Sequence, residues 1–411
     1  MHDRVKPLRN GQQDRLQTGR PPPCNANHNG DTTRCLQAPV RILIAPDKFK
    51  GSLSAHAAAE AIARGLRTVW PDAHLDLAPI ADGGEGFAES LAVALGAGWV
   101  NVASEDALGR PIVGRYARLP EQNLAILEMS EASGLHRIAQ HELAPLRADT
   151  FGTGVLIAHA AAHGARRILV GLGGSATTDG GAGMARALGY RFLDERGREL
   201  STSPKELPSL AHIKRPATLL LPEILAACDV QNPLLGPRGT ANVYGPQKGS
   251  DTARVEMLER AMSRLADVCA ADLGCDHREV PGAGAAGGLG FGLLTFCNAQ
   301  IRPGFDMIAE ALHLESRIAA ADLIVTGEGR IDEQTLDGKG PAGIAALARK
   351  AGKRVVAFGG SVAAPAEEAG IFDALVPIAD RPLTIGEAMT ETASLLERAS
   401  RRAGQLIRVI A

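Results

Sequence analysis

The sequence predicts an α/β fold in which a mostly parallel sheet is flanked by helices, with more than one hydrophobic core. Three observations carry that expectation. Short apolar runs alternate with Ala-rich helical stretches from Val40 to the end of the chain. The 411 residues are about two to three times an ordinary domain. Glycine is abundant at 47 residues while aromatics are only 3%, so tight backbone loops rather than large side chains must shape the surface.

Taken in order, residues 1–36 are polar, contain Pro21-Pro22-Pro23 and five arginines, and cannot bury enough apolar area to offset ordering entropy. Residues 1–39 are therefore expected as a disordered N-terminal extension or as the product of a start placed too far upstream. Strands are expected at 41–45, 75–80, 124–128, 167–170, 225–228, 323–326 and 354–358, where β-branched and apolar residues run without a helical period. Helices are expected at 55–69, 152–162, 254–271, 305–320 and 385–403. Residues 110–118 and 194–216 read as crossings or surface loops.

A net charge of −2 argues against a large nucleic-acid footprint, and no apolar run reaches the length a bilayer span requires. Six scattered cysteines, Cys24, Cys35, Cys228, Cys269, Cys275 and Cys297, form no C-x-x-C pair and no secretory segment precedes them, which points to reduced thiols in the cytoplasm. The expected partners are small molecules.

In open α/β sheets ligands gather beyond the carboxyl ends of strands. The first strand runs into Pro46-Asp47-Lys48-Phe49-Lys50-Gly51-Ser52, and a helix opens there; the loop either binds a carboxylate or phosphate or is a solvated turn with Ser52 or Ser54 as N-cap. Three further strand ends also carry acids, at Asp82 and Glu85, at Asp229, and at Glu328 and Asp332. That recurrence favours one shared cleft holding Mg²⁺ and a general base. After the strand at 167–170 comes Gly171-Leu-Gly-Gly-Ser-Ala-Thr-Thr-Asp-Gly-Gly181, the glycine and hydroxyl composition a phosphate cradle requires. A second run, from Gly282 to Gly290, contains G-x-G-x-x-G without a clean strand before it, so a dinucleotide site and close helix packing remain open. No Walker-type loop is present, since Gly338-Lys339 is followed by Gly340. Neither a nucleophile elbow nor a zinc helix is formed.

Six motifs then occur in order: Ile44-Ala-Pro-Asp-Lys-Phe-Lys-Gly-Ser-Leu53, Pro79-Ile-Ala-Asp-Gly-Gly-Glu-Gly86, the glycine loop ending at Gly181, Cys228-Asp-Val-Gln-Asn-Pro-Leu-Leu-Gly236, Tyr244-Gly-Pro-Gln-Lys-Gly249, and Gly327-Glu-Gly-Arg-Ile-Asp-Glu-Gln-Thr-Leu-Asp-Gly-Lys-Gly340. Together they closely resemble the bacterial glycerate kinase family of the glycerate 2-kinase type, from about residue 41 to the C-terminus and with every quoted position intact. The resemblance implies a Rossmann-like domain built from 40–118 and 315–411, with a second α/β domain, 119–314, inserted in it. It also implies ATP- and Mg²⁺-dependent conversion of D-glycerate, mainly to 2-phosphoglycerate; a kinase of another small hydroxy acid or polyol, or a non-catalytic glycerate sensor, are the alternatives. Phosphoryl transfer needs positioning and charge neutralisation. Lys48 and Lys50 are accordingly expected to neutralise the substrate carboxylate or the moving phosphate, and Asp47, Asp229 or Asp332 to orient the attacking hydroxyl. Gly173, Gly174, Ser175, Thr177, Gly181, Gly327, Glu328 and Arg330 are expected around the ATP phosphates, and Asp82, Glu85, Asp179 and Asp229 around Mg²⁺.

Overall fold

The computed structural model describes residues 39–81, 84, 86–336 and 340–410; the expected N-terminal extension and the expected metal ligands Asp82 and Glu85 lie outside the described residues. The strands, in chain order, are β1 (Arg41–Ile44), β2 (His74–Leu77), β3 (Gly98–Glu105), β4 (Pro111–Leu119), β5 (Leu124–Glu128), β6 (Arg167–Gly171), β7 (Arg191–Leu193), β8 (His212–Lys214), β9 (Glu223–Ala227), β10 (Gln300–Arg302), β11 (Leu323–Ile331), β12 (Val355–Val362) and β13 (Ala374–Pro377). They form two larger sheets and one small ribbon.

The first sheet, in the order β13-β12-β11-β1-β2, is parallel throughout. Its interior strand β1 reads as a continuous apolar run because both faces are covered. Ile42 and Ile44 pack into one core with the helix Ala55–Arg67 and the C-terminal helix Thr392–Ile410, while Leu43 points into another. The second sheet has the order β10-β9-β6-β5-β4-β3. Here β10, β9, β6 and β5 are parallel, and β4 and β3 continue antiparallel. A middle core joins the two sheets: Leu43 and Ile324 of the first and Ile126 and Leu169 of the second belong to one buried cluster, with Phe87 and Leu91 from the helix Phe87–Leu95 and Phe305 and Ile308 from the helix Gly304–Ala311 between them.

Several expectations are corrected. Residues 110–118 are not a crossing loop: they form β4, which pairs Ala117 with Ile126 of β5 and Val102 of β3 with Gly114. Residue 119, where the inserted domain is expected to begin, is the last residue of β4, and both β3 and β4 sit in the second sheet. Arg115, Arg118, Gly114 and an exposed Val113 interrupt the apolar pattern, because this hairpin leads to the sheet edge and is wet on alternate residues. The expected helix at 305–320 is two helices, Gly304–Ala311 and Leu314–Ala320, separated at His313, whose φ of 51° is left-handed. The expected strand at 323–326 continues to Ile331, since Gly327 lets β11 lie against Phe358 of β12 where a Cβ would strike the Phe358 carbonyl.

Candidate active site

The ends of β1, β2 and β11 in the first sheet and of β5, β6 and β9 in the second border one cleft, and they deliver different kinds of group. The loop after β1 is a closed turn. Phe49 and Leu53 exchange two backbone hydrogen bonds of 2.9 Å, the Ser52 hydroxyl donates to the Phe49 carbonyl, and Gly51 supplies the left-handed residue at φ 78°. Phe49 anchors the turn in the core under the first sheet. Ser54 then accepts from the Ala57 N–H and caps the following helix. Asp47, Lys48 and Lys50 are thereby held at the mouth of the cleft. The Asp47 N–H donates to the Gly327 carbonyl of β11 at 2.8 Å, tying the loop to the next strand, and Asp47 Oδ1 accepts from the Lys48 N–H.

Two cavities meet at this loop. The larger, about 840 Å³, lies between Glu328, Gly329, Arg330, Asp332 and Thr335 of the β11 end and Leu172 to Ser175 of the β6 end, with Tyr244 and Gln247 on a third side. The smaller, about 470 Å³, extends past Ser54 and His56 toward Trp99, Arg115, Glu128 and Ser130. Asp47, Lys48, Lys50 and His136 line both. Hence the charges expected to act on a transferring group stand where the two spaces join.

The glycine loop divides along its length. Gly173, Gly174 and Ser175 face the larger cavity. Thr177 does not: it is fully buried, its Oγ1 has no hydrogen-bond partner among the described residues, and its carbonyl accepts from Lys248. Gly181 is likewise beneath the surface, where a Cβ would lie 2.8 Å from Gly292 Cα. The second glycine run is therefore a packing surface for the first. Ala286, Gly287 and Gly288 are all left-handed, and a Cβ on Gly287 would strike the Thr177 carbonyl. Only Ala286 of this run reaches the larger cavity.

Asp179, expected around Mg²⁺, stands apart from both cavities. It is completely buried and its carboxylate accepts from the N–H of Thr150 (2.9 Å), the Thr150 hydroxyl (2.7 Å), and the N–H groups of Gly183 (2.9 Å) and Gly181 (3.3 Å). Burial, reinforced by Asp149, raises its pKa to about 6 against those donors. With four donors of the chain on it, this carboxylate ties down the backbone at Thr150, Gly181 and Gly183 and lines neither cavity. Asp229 places Oδ1 on the Gly304 N–H at 2.8 Å, at the start of the helix Gly304–Ala311, and its neighbour Val230 rather than Asp229 lines the larger cavity. Gly327 too is buried behind the wall that Glu328 and Gly329 form. Arg330 reaches over the same wall and pairs with Asp332 at 2.8 Å.

Three residues that sequence reasoning passed over belong to the site. Glu128, at the end of β5, lines the smaller cavity with Oε1 on the Ala88 N–H (2.8 Å) and Oε2 on the Ser130 hydroxyl (3.1 Å). Burial raises its pKa to about 6, opposed by those two donors and by the charge of Lys48. His136 lines both cavities and carries no sequence signal. Lys248 lies in a motif already noted, yet its side chain is 1% exposed and donates to Ser175 Oγ and the Thr177 carbonyl.

Mg²⁺ bound with a nucleotide takes one or two protein carboxylates and completes its shell with phosphate oxygens and water. Among the described residues no group of three or more His, Cys, Asp and Glu is gathered around one point. The carboxylates on the larger cavity, Asp47, Glu328 and Asp332, suit an ion that arrives with phosphates rather than a resident one.

Residues 42–408 match the sequence model of the Glycerate kinase family. The chain belongs to that family. It is 42% identical over 366 residues to the glycerate kinase of Halalkalibacterium halodurans, covering 88% of this chain and 96% of the relative. To the glycerate 2-kinase of Escherichia coli K12 it is 38% identical over 372 residues, covering 88% and 96%. Among solved structures, a Salmonella typhimurium LT2 protein bearing the provisional designation glycerate kinase 2 superposes with a TM-score of 0.80 at 39% identity, over 90% of this chain and 99% of that one. The family assignment thus agrees with the resemblance carried by the six motifs, and the α/β fold with the solved relative. As kinases, family members take ATP and a small-molecule substrate. Among the described residues no helix is long and apolar enough to cross a membrane.

Proposed function

We propose that the chain catalyses ATP-dependent phosphorylation of D-glycerate, mainly to 2-phosphoglycerate, with ATP in the larger cavity and glycerate in the smaller. The observation that carries this reading is that Asp47, Lys48, Lys50 and His136 line both spaces, so a donor phosphate and an acceptor hydroxyl can meet beside them. The acceptor oxygen forms the new bond to the γ-phosphorus, the bond to the β-bridging oxygen breaks, ADP leaves, and the hydroxyl proton passes to a carboxylate. Asp47 is the best-placed carboxylate, being 5% exposed and common to both cavities; Asp332 lines only the larger one. Lys48 and Lys50 neutralise the substrate carboxylate and the moving phosphoryl group. Gly173, Gly174 and Ser175 present backbone and hydroxyl to the nucleotide phosphates, with Glu328 and Arg330 opposite. A divalent cation accompanying ATP would supply further charge neutralisation, and Glu328 and Asp332 are the described residues that would hold it.

The two sheets further support a two-domain division, with 40–97 and 315–411 around the first sheet and 98–314 around the second, joined by the shared middle core. Action in the cytoplasm accords with ATP use and with Cys228, Cys269, Cys275 and Cys297, which form no disulfide. The test is ADP release with D-glycerate, lactate, tartronate and glycerol as acceptors, followed by phosphorus NMR of the product. Turnover confined to glycerate with a 2-phosphate resonance is expected. Faster turnover of glycerol or lactate would reassign the acceptor, and glycerate binding without ADP release would replace the enzyme reading with a sensor.

A further inference from the structure

The larger cavity has a cation behind its wall as well as in front of it. The segment from Tyr244 to Gly249 turns so that Tyr244 and Gln247 line the cavity while the Lys248 side chain passes underneath the glycine loop. There its ammonium is 1% exposed and donates to Ser175 Oγ at 2.7 Å and to the Thr177 carbonyl at 2.5 Å. Both partners are neutral oxygens. Burying an ammonium without an anion in direct contact is costly, and an apolar side chain of similar length would cross-link nothing but would avoid that cost, so the charge needs a use.

The hydrogen-bond pattern supplies one. A serine hydroxyl has one hydrogen to give and two lone pairs. Ser175 Oγ accepts from Lys248, and that is its one hydrogen bond among the described residues, so its own hydrogen has no acceptor among them. Ser175 lines the larger cavity. We infer that Lys248 is a positioning residue for nucleotide phosphate: by occupying a lone pair of Ser175 Oγ it commits the serine hydroxyl to donate into the larger cavity, and its charge, one residue's depth below the surface, favours a phosphate oxygen at that place. The inference rests on the larger cavity being the nucleotide site. Burial draws the Lys248 pKa down to about 7 with Asp179 opposing, and a phosphate over Ser175 would add counter-charge.

Full-length wild-type protein is compared with Lys248→Met, Ser175→Ala, Ser175→Thr and the Lys248→Met/Ser175→Ala double variant. KM is measured for ATP and for D-glycerate, the inhibition constants of ADP and adenosine are measured against ATP, and thermal melting reports folding. Losing a charge-assisted hydrogen bond to phosphate corresponds to about a 10-fold or greater rise in KM for ATP and Ki for ADP in Lys248→Met and Ser175→Ala. Adenosine and glycerate constants should move less than about 2-fold, Ser175→Thr should restore ADP affinity, and the double variant should be no worse than the weaker single one, since the two residues act as a unit. Equal losses for ADP and adenosine, an unchanged ADP constant, or multiplicative effects in the double variant would overturn the inference and leave Lys248 as a cross-link between two loops. Should Lys248→Met not fold, Ser175→Ala against Ser175→Thr decides by the same ADP and adenosine readout. Wild-type protein that binds ADP but does not phosphorylate glycerate would refute the acceptor reading alone, because the ADP comparison does not depend on it.

Discussion

Replacing Asp179 with Ala separates the structural role that the geometry assigns from the metal-ligand role that its sequence context suggests. The carboxylate accepts from three backbone N–H groups and one hydroxyl in a completely buried site. Each buried donor left without a partner costs about 1–3 kcal/mol, and the Gly181 contact at 3.3 Å is the weakest of the four. Counting the three shorter bonds at about 1.5–2 kcal/mol each gives a loss of about 5 kcal/mol, before any cavity left by the side chain. That is comparable to the whole stability of many proteins, about 5–15 kcal/mol. The expected outcome is an Asp179→Ala protein that is largely insoluble or melts far below wild type, with or without Mg²⁺ and ATP. Thermal melting and a thiol-accessibility assay check it, because Cys228, Cys269 and Cys297 are buried in the same core cluster as Met184, which stands beside the Asp179 site. An Asp179→Ala protein that melts as wild type does, yet loses activity in a way that excess Mg²⁺ restores, would refute this reasoning and return Asp179 to the metal.

Three further outcomes follow from the same geometry. Lys48→Met should lower kcat/KM by about 100-fold or more with little change in melting temperature, because it removes a charge at the junction of the two cavities rather than a core contact; near-normal steady-state kinetics would refute its role. Glu128→Gln should show a pH-dependent stability difference from wild type. Its folded pKa of about 6 lies above the ordinary 4.5, so below pH 4.5 both states hold the proton and burial exacts no penalty. As pH rises through 6 wild type loses up to about 2 kcal/mol that the amide variant keeps. The variant's melting temperature should thus gain on wild type between pH 4.5 and 6.5, and a flat difference would contradict the assignment. Gly287→Ala should destabilise by about 3 kcal/mol or more, combining left-handed strain with a collision against the Thr177 carbonyl. Gly274→Ala, equally left-handed at φ 73° but facing open space, should cost only about 1 kcal/mol. Matching melting shifts in the two alanine variants would show that the packing of the glycine runs is not what holds the loop.

The elements that were legible in the sequence are those whose burial is uniform. β1, β5 and β6 are apolar along nearly their whole length because helices or sheets cover both faces, and the loop from Asp47 to Ser54 announced itself by charges placed at a strand end. β3 and β4 were missed because alternate residues are wet, and β10 and β13 because strands of three and four residues carry almost no period. Within the site, an acid among glycines reads the same in sequence whether it binds a metal or ties down backbone N–H groups; only the four donors around Asp179 tell the two apart. Glu128 could have been noticed, since a carboxylate closing a strand that is otherwise wholly buried is seldom placed there for solubility. His136 offers no comparable signal: its position on both cavities comes from the chain path through the short helical turn Leu135–Arg137.

The glycine packing also explains why the site draws its charges from where it does. Backbone N–H groups can approach phosphate only if the loop that bears them is thin, and here the loop is backed by a second stretch of glycines. A Cβ at Gly288 would lie 2.9 Å from Gly180 Cα, and one at Gly292 would lie 2.7 Å from Gly181 Cα. That buried stretch is packed backbone to backbone, and the cavity-lining wall, Leu172 to Ser175, includes no lysine or arginine. Positive charge must then reach the phosphates from outside that wall, across the cleft from Lys48, Lys50 and Arg330, or from underneath it through the hydroxyl of Ser175. The buried Lys248 is the residue positioned for the second route, since Ser175 is the one hydroxyl among Leu172 to Ser175 and its Oγ accepts from that lysine.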